Sequence, residues 1–423
     1  MRIEEIVLDD YIDSPTNSRV MYKEGDPVFE SISQSIDQFD FLQPLIVNEK
    51  TGHIIAGHLR KRVLKSKGID KAMAVIVSFD ILKEKAAVLA FNKISGSWDY
   101  EKLSSVLDEL SKTPSFDVSI TGFDVPEISE ILDRYSEPND DSFDFDAAIA
   151  AIKEPITKKG DLIQLGRHRL LCGDSADIED MKRLMQDEKA SLLVTDPPYL
   201  ASYMPGNRPT KNGRCKKGDP STMIQNDHMP QEEYEKWLKT VLGNVTQFLE
   251  GSSSAYIWNG FRQFGPMTQM LINLGFHISN VITWVKPSLC ISYSDYNFQS
   301  EFCIYAWREG QGPHRWFGST KESNVWQVNR DSVNSRIHQN QKPIELAQRA
   351  IKNSSSRGEI LLEPFAGSGW VTITAEQLDR SCYGIEIEPK YCDAIARRYI
   401  AYVGIDKAPE ALRKKYLTEV THG

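Results

Sequence analysis

Two short stretches far apart in the chain hold residue types that could do chemistry together. The first, Thr195-Asp196-Pro197-Pro198-Tyr199, follows the run Ser191 to Val194, which reads as a buried strand. At a strand tip it offers the Asp196 carboxylate, the rigid carbonyls of Pro197 and Pro198, and the Tyr199 ring, with the prolines fixing the backbone torsions. The second, Glu363-Pro364-Phe365-Ala366-Gly367-Ser368-Gly369, follows Ile360-Leu361-Leu362 and precedes a helical stretch. Glycines between a strand and a helix let the backbone turn sharply and approach a ligand at the helix N-terminus. Glu386 lies about 17 residues beyond Gly369, at the end of the next strand, Cys382 to Ile387. An acid at that strand tip is placed to hold the hydroxyls of a nucleoside ribose. The turn lacks the third glycine of a dinucleotide fingerprint and continues with Trp370, which disfavours NAD.

Further polar residues flank these stretches. Lys342, in His338-Gln339-Asn340-Gln341-Lys342-Pro343, could pair with a ligand carboxylate or be a solvated lysine at a helix start. Asp174, in Cys172-Gly173-Asp174-Ser175, could accept from a nucleoside amino group or cap a turn. Arg208, Lys211, Arg214, Lys216 and Lys217 cluster just after the Asp-Pro-Pro-Tyr motif, with only Asp219 nearby. Such a loop could grip phosphates or simply be solvated.

The elements that must position these groups are legible from periodicity. Strand-like runs at Leu192–Val194, Ser254–Trp258, Val281–Val285, Phe302–Trp307, Ile360–Leu362 and Cys382–Ile387 alternate with helical stretches. The helices are Glu232–Phe248, Gly265–Leu274, Ile344–Lys352, Thr372–Leu378 and Tyr391–Tyr399. This alternation predicts a mostly parallel, doubly wound α/β sheet, with both flagged loops at the carboxyl ends of strands. Upstream, helices are expected at Phe29–Phe39, Gly57–Ser66, Glu84–Asn92 and Tyr100–Leu110, with strands at Leu45–Val47, Ile54–Ile55 and Ala74–Val77. We divide the chain into a first domain, 1–135, an acidic linker, 136–150, and a second domain, 151–423.

The chain of 423 residues carries a net charge of −9, but the acidity is local. Residues 1–145 hold 16 Lys and Arg against 27 Asp and Glu, and the remainder 34 against 32, so a nucleic-acid face in the second domain is compatible with the overall sign. The six cysteines form no C-x-x-C pair, which supports neither a zinc site nor a disulfide framework, and no metal is expected. No apolar run approaches the roughly 20 residues of a membrane span. The acidic N-terminus is unlike a signal peptide, so a cytoplasmic location is expected.

Residues 160–401 resemble the beta group of DNA amino-methyltransferases, in which the target-base motif precedes the cofactor motif. Besides the two loops, the resemblance covers Gly160-Asp161-Leu162 with Leu165 to Leu170, Asn226-Asp227, Trp284-Val285-Lys286-Pro287, Glu301, and Arg380 to Glu386 with Tyr391. Glu363, where Asp is usual, and Trp370, where a small hydroxyl residue is usual, depart from the pattern. The resemblance implies a Rossmann-like S-adenosylmethionine-dependent fold, with Asp174, Lys342, Phe365, Gly367, Ser368, Gly369 and Glu386 at the cofactor. Asp196, Pro197, Pro198 and Tyr199 would hold a base flipped from double-stranded DNA, and target recognition would fall within about 200–335. The Asp-first spelling usually goes with adenine N6 and a Ser-first one with cytosine N4, which stays open as the alternative, and a restriction-modification setting in a bacterium or phage is implied. The other class of function is a non-catalytic DNA-binding regulator.

The first domain resembles ParB/sulfiredoxin-like α+β domains through Glu30-Ser31-Ile32, Phe41 to Val47, Ile54 to Arg60 and Ala90 to Lys93, reaching Thr121-Gly122-Phe123. Gly57 and Arg60 match a nucleotide-phosphate box, but Leu59 replaces its second arginine, so CTP is disfavoured as a partner. No helix-turn-helix module is evident after the box. A homodimer is left open, and no membrane partner is expected.

Overall fold

The computed structural model describes residues 2–41, 43–93, 98–114, 116–135, 141–199, 229–290, 295–309, 314–328 and 342–417. The chain forms two compact units, Met1–Glu137 and Pro138–Gly423.

The first unit is built on strands β1 (Arg2–Val7), β2 (Ile12–Asp13), β3 (Leu45–Asn48), β4 (His53–Ala56) and β5 (Lys71–Val77), in the order β1-β5-β3-β4-β2. Leu45, Val47, Ile54, Ala74 and Ile76 are buried together in its core. Helices α1 (Pro27–Phe39), α2 (His58–Ser66), α3 (Ile81–Asn92), α4 (Tyr100–Ser111) and α5 (Val125–Tyr135) complete it. Buried Glu84 accepts from the Asn48 side-chain amide and sits 2.6 Å from His53 Nδ1, fastening the turn between β3 and β4 to α3. Strand β1 and helix α5 exceed the sequence expectation. The Val125-Pro126 pair reads as a break, yet Pro is tolerated in a helix's first turn because its missing N–H is an orphan there.

The second unit carries strands β6 (Leu162–Leu165), β7 (His168–Cys172), β8 (Ala190–Thr195), β9 (Leu249–Asn259), β10 (Phe276–Cys290), β11 (Phe298–Arg308), β12 (Val325–Gln327), β13 (Ile360–Glu363) and β14 (Ser381–Glu386). Their order is β12-β10-β11-β9-β8-β13-β14-β7-β6. The run β9-β8-β13-β14-β7 is parallel, as expected. The sheet is extended by antiparallel β11 and β10 on one side and by the β6–β7 hairpin on the other.

All six residues of β8 are buried, because helices cover both faces of the sheet. Leu193 packs on the side of α7 (Ile178–Met185), α8 (Gln231–Gln247) and α9 (Phe264–Asn273). Leu192 and Val194 pack on the opposite side, with α10 (Ile344–Ser354) and α11 (Trp370–Gln377). Period-2 alternation along β8 thus feeds two cores at once.

The acidic stretch expected as a linker contributes to the second unit's third core. It supplies helix α6 (Phe145–Ala151), whose Phe145 is buried against Ile395 and Tyr399 of α12 (Pro389–Val403), with α13 (Glu410–Leu417) alongside. Asp141 closes this core chemically. Its carboxylate takes two bonds, of 2.5 and 2.6 Å, from fully buried Arg398, whose remaining Nη1 donates to the Ser368 carbonyl at 2.9 Å. Composition marks residues 136–150 as polar, but a two-pronged guanidinium–carboxylate pair lets an aspartate be buried. Asp141→Ala should therefore leave Arg398 as an uncompensated buried charge and destabilise the second unit by about 3–5 kcal/mol. Urea denaturation followed by tryptophan fluorescence checks this.

Candidate active site

The carboxyl tips of β8, β13 and β14 lie side by side in the sheet, and each carries one part of the site. At the end of β14 stands Glu386, only 8 % exposed. One of its oxygens accepts the Gly367 amide at 2.8 Å and the other the Glu388 amide at 2.9 Å. Burial outweighs these two bonds and pushes its carboxyl up to about 7. After β13, Gly367 and Gly369 take positive φ values of 55° and 75°, and a Cβ at Gly369 would stand 2.9 Å from the Ile395 side chain. The turn needs glycine there for conformation and for close approach. Phe365 packs at a tilt of 51° against Trp237, 5.6 Å between ring centres.

The loop after β7 joins the same place. The Gly173 amide donates to the Glu386 carbonyl, and the Ser175 hydroxyl donates to the Pro364 carbonyl. Asp174 turns its Oδ1 onto the Ala176 amide at 2.9 Å, while its own amide is held by Asp180. Asp174, Phe365, Gly367, Ser368, Gly369 and Glu386 thus lie at the tips of β7, β13 and β14 and in the loops after them.

At the tip of β8, Asp196 and Tyr199 are bonded to each other, the Tyr199 hydroxyl donating to Asp196 Oδ1. Tyr234 donates to the Pro198 carbonyl at 2.6 Å, fixing the diproline segment and leaving the Pro197 carbonyl as the neighbouring acceptor. Gly260, after β9, lets the chain lie on Tyr199, where a Cβ would come within 3.3 Å of the tyrosine Cβ. Burial, then Asp196, pushes the Tyr199 phenol well above its ordinary range, so it stays a donor.

Lys342 differs from the expectation. Its ammonium lies at the base-holding motif, 2.6 Å from Asp196 Oδ2, 3.1 Å from the Tyr199 hydroxyl and 3.3 Å from Glu301 Oε2. It also stands over the rings of Trp258 and Tyr199, at 5.2 and 5.4 Å. Burial opposes its charge, but Asp196 and Glu301 outweigh burial and raise its pKa. Its position just before α10, facing β8, delivers it here.

Glu301 in turn pairs with Lys286. Burial works against its ionisation, yet Lys342 and Lys286 hold it down at about 2. Sequence reading had flagged Lys286 and Glu301 as matching residues without a role. What it lacked was the antiparallel register of β10 and β11, which sets Trp284 opposite Glu301 and brings Lys286 beside it. Glu363, fully buried, is pushed well above the carboxylate range by burial and then by Asp196 and Glu386. The basic cluster Arg208, Lys211, Arg214, Lys216 and Lys217 lies outside the described residues. In the first unit, Gly57 opens α2 with φ 100°, and the Arg60 guanidinium donates to the Gln43 carbonyl at 2.6 Å. His58 beside it is pushed by burial down to about 4.

In one parallel sheet, a buried acid at the tip of β14 thus stands two strands from Asp-Pro-Pro-Tyr at the tip of β8. The DNA methylase family model matches residues 190–397 of this chain, which carries a DNA methylase domain there. Its first part carries a ParB N-terminal domain, residues 1–93, followed by a ParB-methyltransferase HTH domain, residues 101–159. The last match corrects the expectation that no helix-turn-helix follows the box. The matched stretch contains α4 and α5, the latter hidden in the sequence by its Pro126.

The type II methyltransferase M2.MboI of Moraxella bovis is 26% identical over 233 residues, 52% of this chain and 84% of that protein. M.HinfI of Haemophilus influenzae is 26% identical over 248 residues, 54% and 67%. Among solved structures, the chain is similar to M1.HpyAVI in complex with SAM, with a TM-score of 0.41 and 19% identity over 54% of this chain and 98% of that one. It is also similar to the cytosine-N4-specific PvuII DNA methyltransferase, with a TM-score of 0.44 and 16% identity over 63% and 95%.

Proposed function

We propose that this chain transfers the methyl group of S-adenosylmethionine to the exocyclic N6 of an adenine turned out of duplex DNA. The observation that carries this reading is the adjacency of two strand-tip sites. The Glu386–Gly367 cradle and the Asp196–Tyr199 pair open at the same carboxyl edge of one parallel sheet.

The bound cofactor supplies an electrophilic methyl on a sulfonium. The Glu386 carboxylate is positioned to take ribose hydroxyls, with the Gly367 turn and Phe365 beside it and the Asp174 loop closing the nucleoside end. An exocyclic amino nitrogen is a poor nucleophile because its lone pair is delocalised into the ring. Asp196 would accept one of its N–H bonds and the Pro197 carbonyl the other, which favours charge developing on nitrogen. Tyr199 offers the ring on which an extruded base stacks. The methylated nitrogen is acidic while cationic, so no separate base with a tuned pKa is required. The Asp-first spelling of the motif supports adenine. The ParB-like unit with its helix-turn-helix stretch is read as a docking module for DNA.

Because the free Glu386 carboxyl titrates near 7 and ribose hydroxyls donate to its ionised form, cofactor binding requires loss of that proton. Affinity should rise about tenfold from pH 6 to pH 8, then level off. Calorimetric titration with S-adenosylhomocysteine across this range checks it. Glu386→Gln should bind more weakly at pH 8 and lose the slope.

The test of function is tritiated-methyl transfer from S-adenosylmethionine to unmodified bacterial genomic DNA, followed by nucleoside digestion and chromatography. Label in N6-methyladenosine is expected. Label in N4-methylcytosine would change the base, since Asp196 can accept from either amino group. No label with the cofactor bound would overturn the enzymatic reading in favour of a regulator.

A further inference from the structure

Both oxygens of Asp196 are already occupied in the protein alone: Oδ1 by the Tyr199 hydroxyl and Oδ2 by the Lys342 ammonium. The Tyr199 ring is flanked too, by Gly260 and by that same ammonium. A base that is to be held by Asp196 Oδ2 and stacked on Tyr199 therefore competes with Lys342 for the same place. An ammonium only 6 % exposed cannot be released without a partner, because an unpaired buried charge is strongly unfavourable. One acceptor stands ready: Glu301 Oε2, 3.3 Å from Lys342 Nζ, while Glu301 Oε1 is anchored by buried Lys286. Lys286 is tethered in its turn, its carbonyl accepting from the Gln299 side chain at 3.1 Å.

We propose that Glu301 is a positioning residue that receives the Lys342 ammonium when the target base takes Asp196 Oδ2. The inference rests on the reading of Asp196 as the base acceptor. Two ammonium groups and two carboxylates share the pocket, so letting go of Asp196 for the Glu301 carboxylate it already touches keeps the Lys342 charge paired. The base amino group then replaces Lys342 as the donor to Asp196. Without the Glu301 carboxylate, Lys342 keeps Asp196 as its paired acid, and the base must compete against a full ion pair.

The experiment is steady-state methylation of a duplex carrying the sequence that the wild type methylates, identified by sequencing its product. The variants are Glu301→Gln, Glu301→Asp, Lys342→Met and the Glu301→Gln/Lys342→Met pair, each checked for the wild-type melting profile. Glu301→Gln is expected to raise the KM for DNA about tenfold, the scale of one charged hydrogen bond, with kcat and cofactor affinity within about twofold. Glu301→Asp, which keeps the carboxylate, should recover most of the loss. Once Lys342 is methionine there is nothing to relocate, so the double variant should have a kcat/KM no lower than Lys342→Met alone. A wild-type KM in Glu301→Gln overturns the proposal, as does a loss of the same size in the Lys342→Met background. If Lys342→Met is too slow to assay, Glu301→Asp decides: a loss equal to that of Glu301→Gln marks a packing role and overturns it. A wild type that methylates no DNA brings down the reading of Asp196 itself, a failure distinct from both.

Discussion

Asp196→Ala is expected to lower methyl transfer by about 10³-fold or more while cofactor affinity stays within about twofold. Two features of the site separate these outcomes. Asp196 is the carboxylate at the tip of β8, bonded to Tyr199 and Lys342, whereas the cofactor cradle is built from the backbone of Gly367 and the carboxylate of Glu386, one and two strands away. Removing Asp196 deletes the acceptor that favours positive charge on the reacting nitrogen and leaves Lys342 with Glu301 as its carboxylate partner. The base then meets an ammonium where it needs an acceptor. Asp196→Asn tells the two effects apart, since its amide carbonyl can still accept one N–H. It should retain more activity than alanine. Single-turnover transfer of tritiated methyl, with calorimetric titration of S-adenosylhomocysteine, measures both quantities. Undiminished transfer by the alanine variant would remove Asp196 from the chemistry.

How far the site was legible depended on whether its residues act through local sequence or through the sheet. Asp-Pro-Pro-Tyr and the glycine turn could be read directly, because a strand tip followed by rigid or permissive backbone is a local pattern. Glu386 could be read by its spacing, because successive parallel strands in such folds recur after one helix. Lys342 is legible as a candidate, but its protein partners are not. Its contact with Asp196 spans 146 positions and depends on α10 packing beneath β8, which no local pattern encodes. The Asp141–Arg398 pair spans 257 positions and was hidden for the same reason, its aspartate lying in a stretch whose composition reads as solvated. Glu363 was noted only as a departure from the usual aspartate. Its raised pKa follows from full burial near two other acids, a property of the folded neighbourhood alone.

Gly367→Asp should weaken cofactor binding by about 100-fold, through two separable effects. The first is conformational: with φ at 55°, any side chain here enters the left-handed region, at about 1–2 kcal/mol for most residues. Space is not limiting, since the nearest atom to an added Cβ is the Phe365 carbonyl at 3.9 Å. The second effect is charge. The Gly367 amide is 2.8 Å from Glu386 Oε2, so a carboxylate on this residue would stand beside a buried acid already raised to about 7. Repulsion should raise Glu386 further and keep it protonated at neutral pH, when ribose hydroxyls need its ionised form. Gly367→Asn isolates the first effect, because asparagine has nearly the same shape and tolerates positive φ as well as aspartate does. Asparagine should therefore bind S-adenosylhomocysteine more tightly than aspartate at pH 7. The aspartate variant's affinity should keep rising above pH 8, where the wild type has levelled off. Equal affinities for the two variants, or an unshifted pH profile in Gly367→Asp, would mean that Glu386 does not carry the cofactor through its charge.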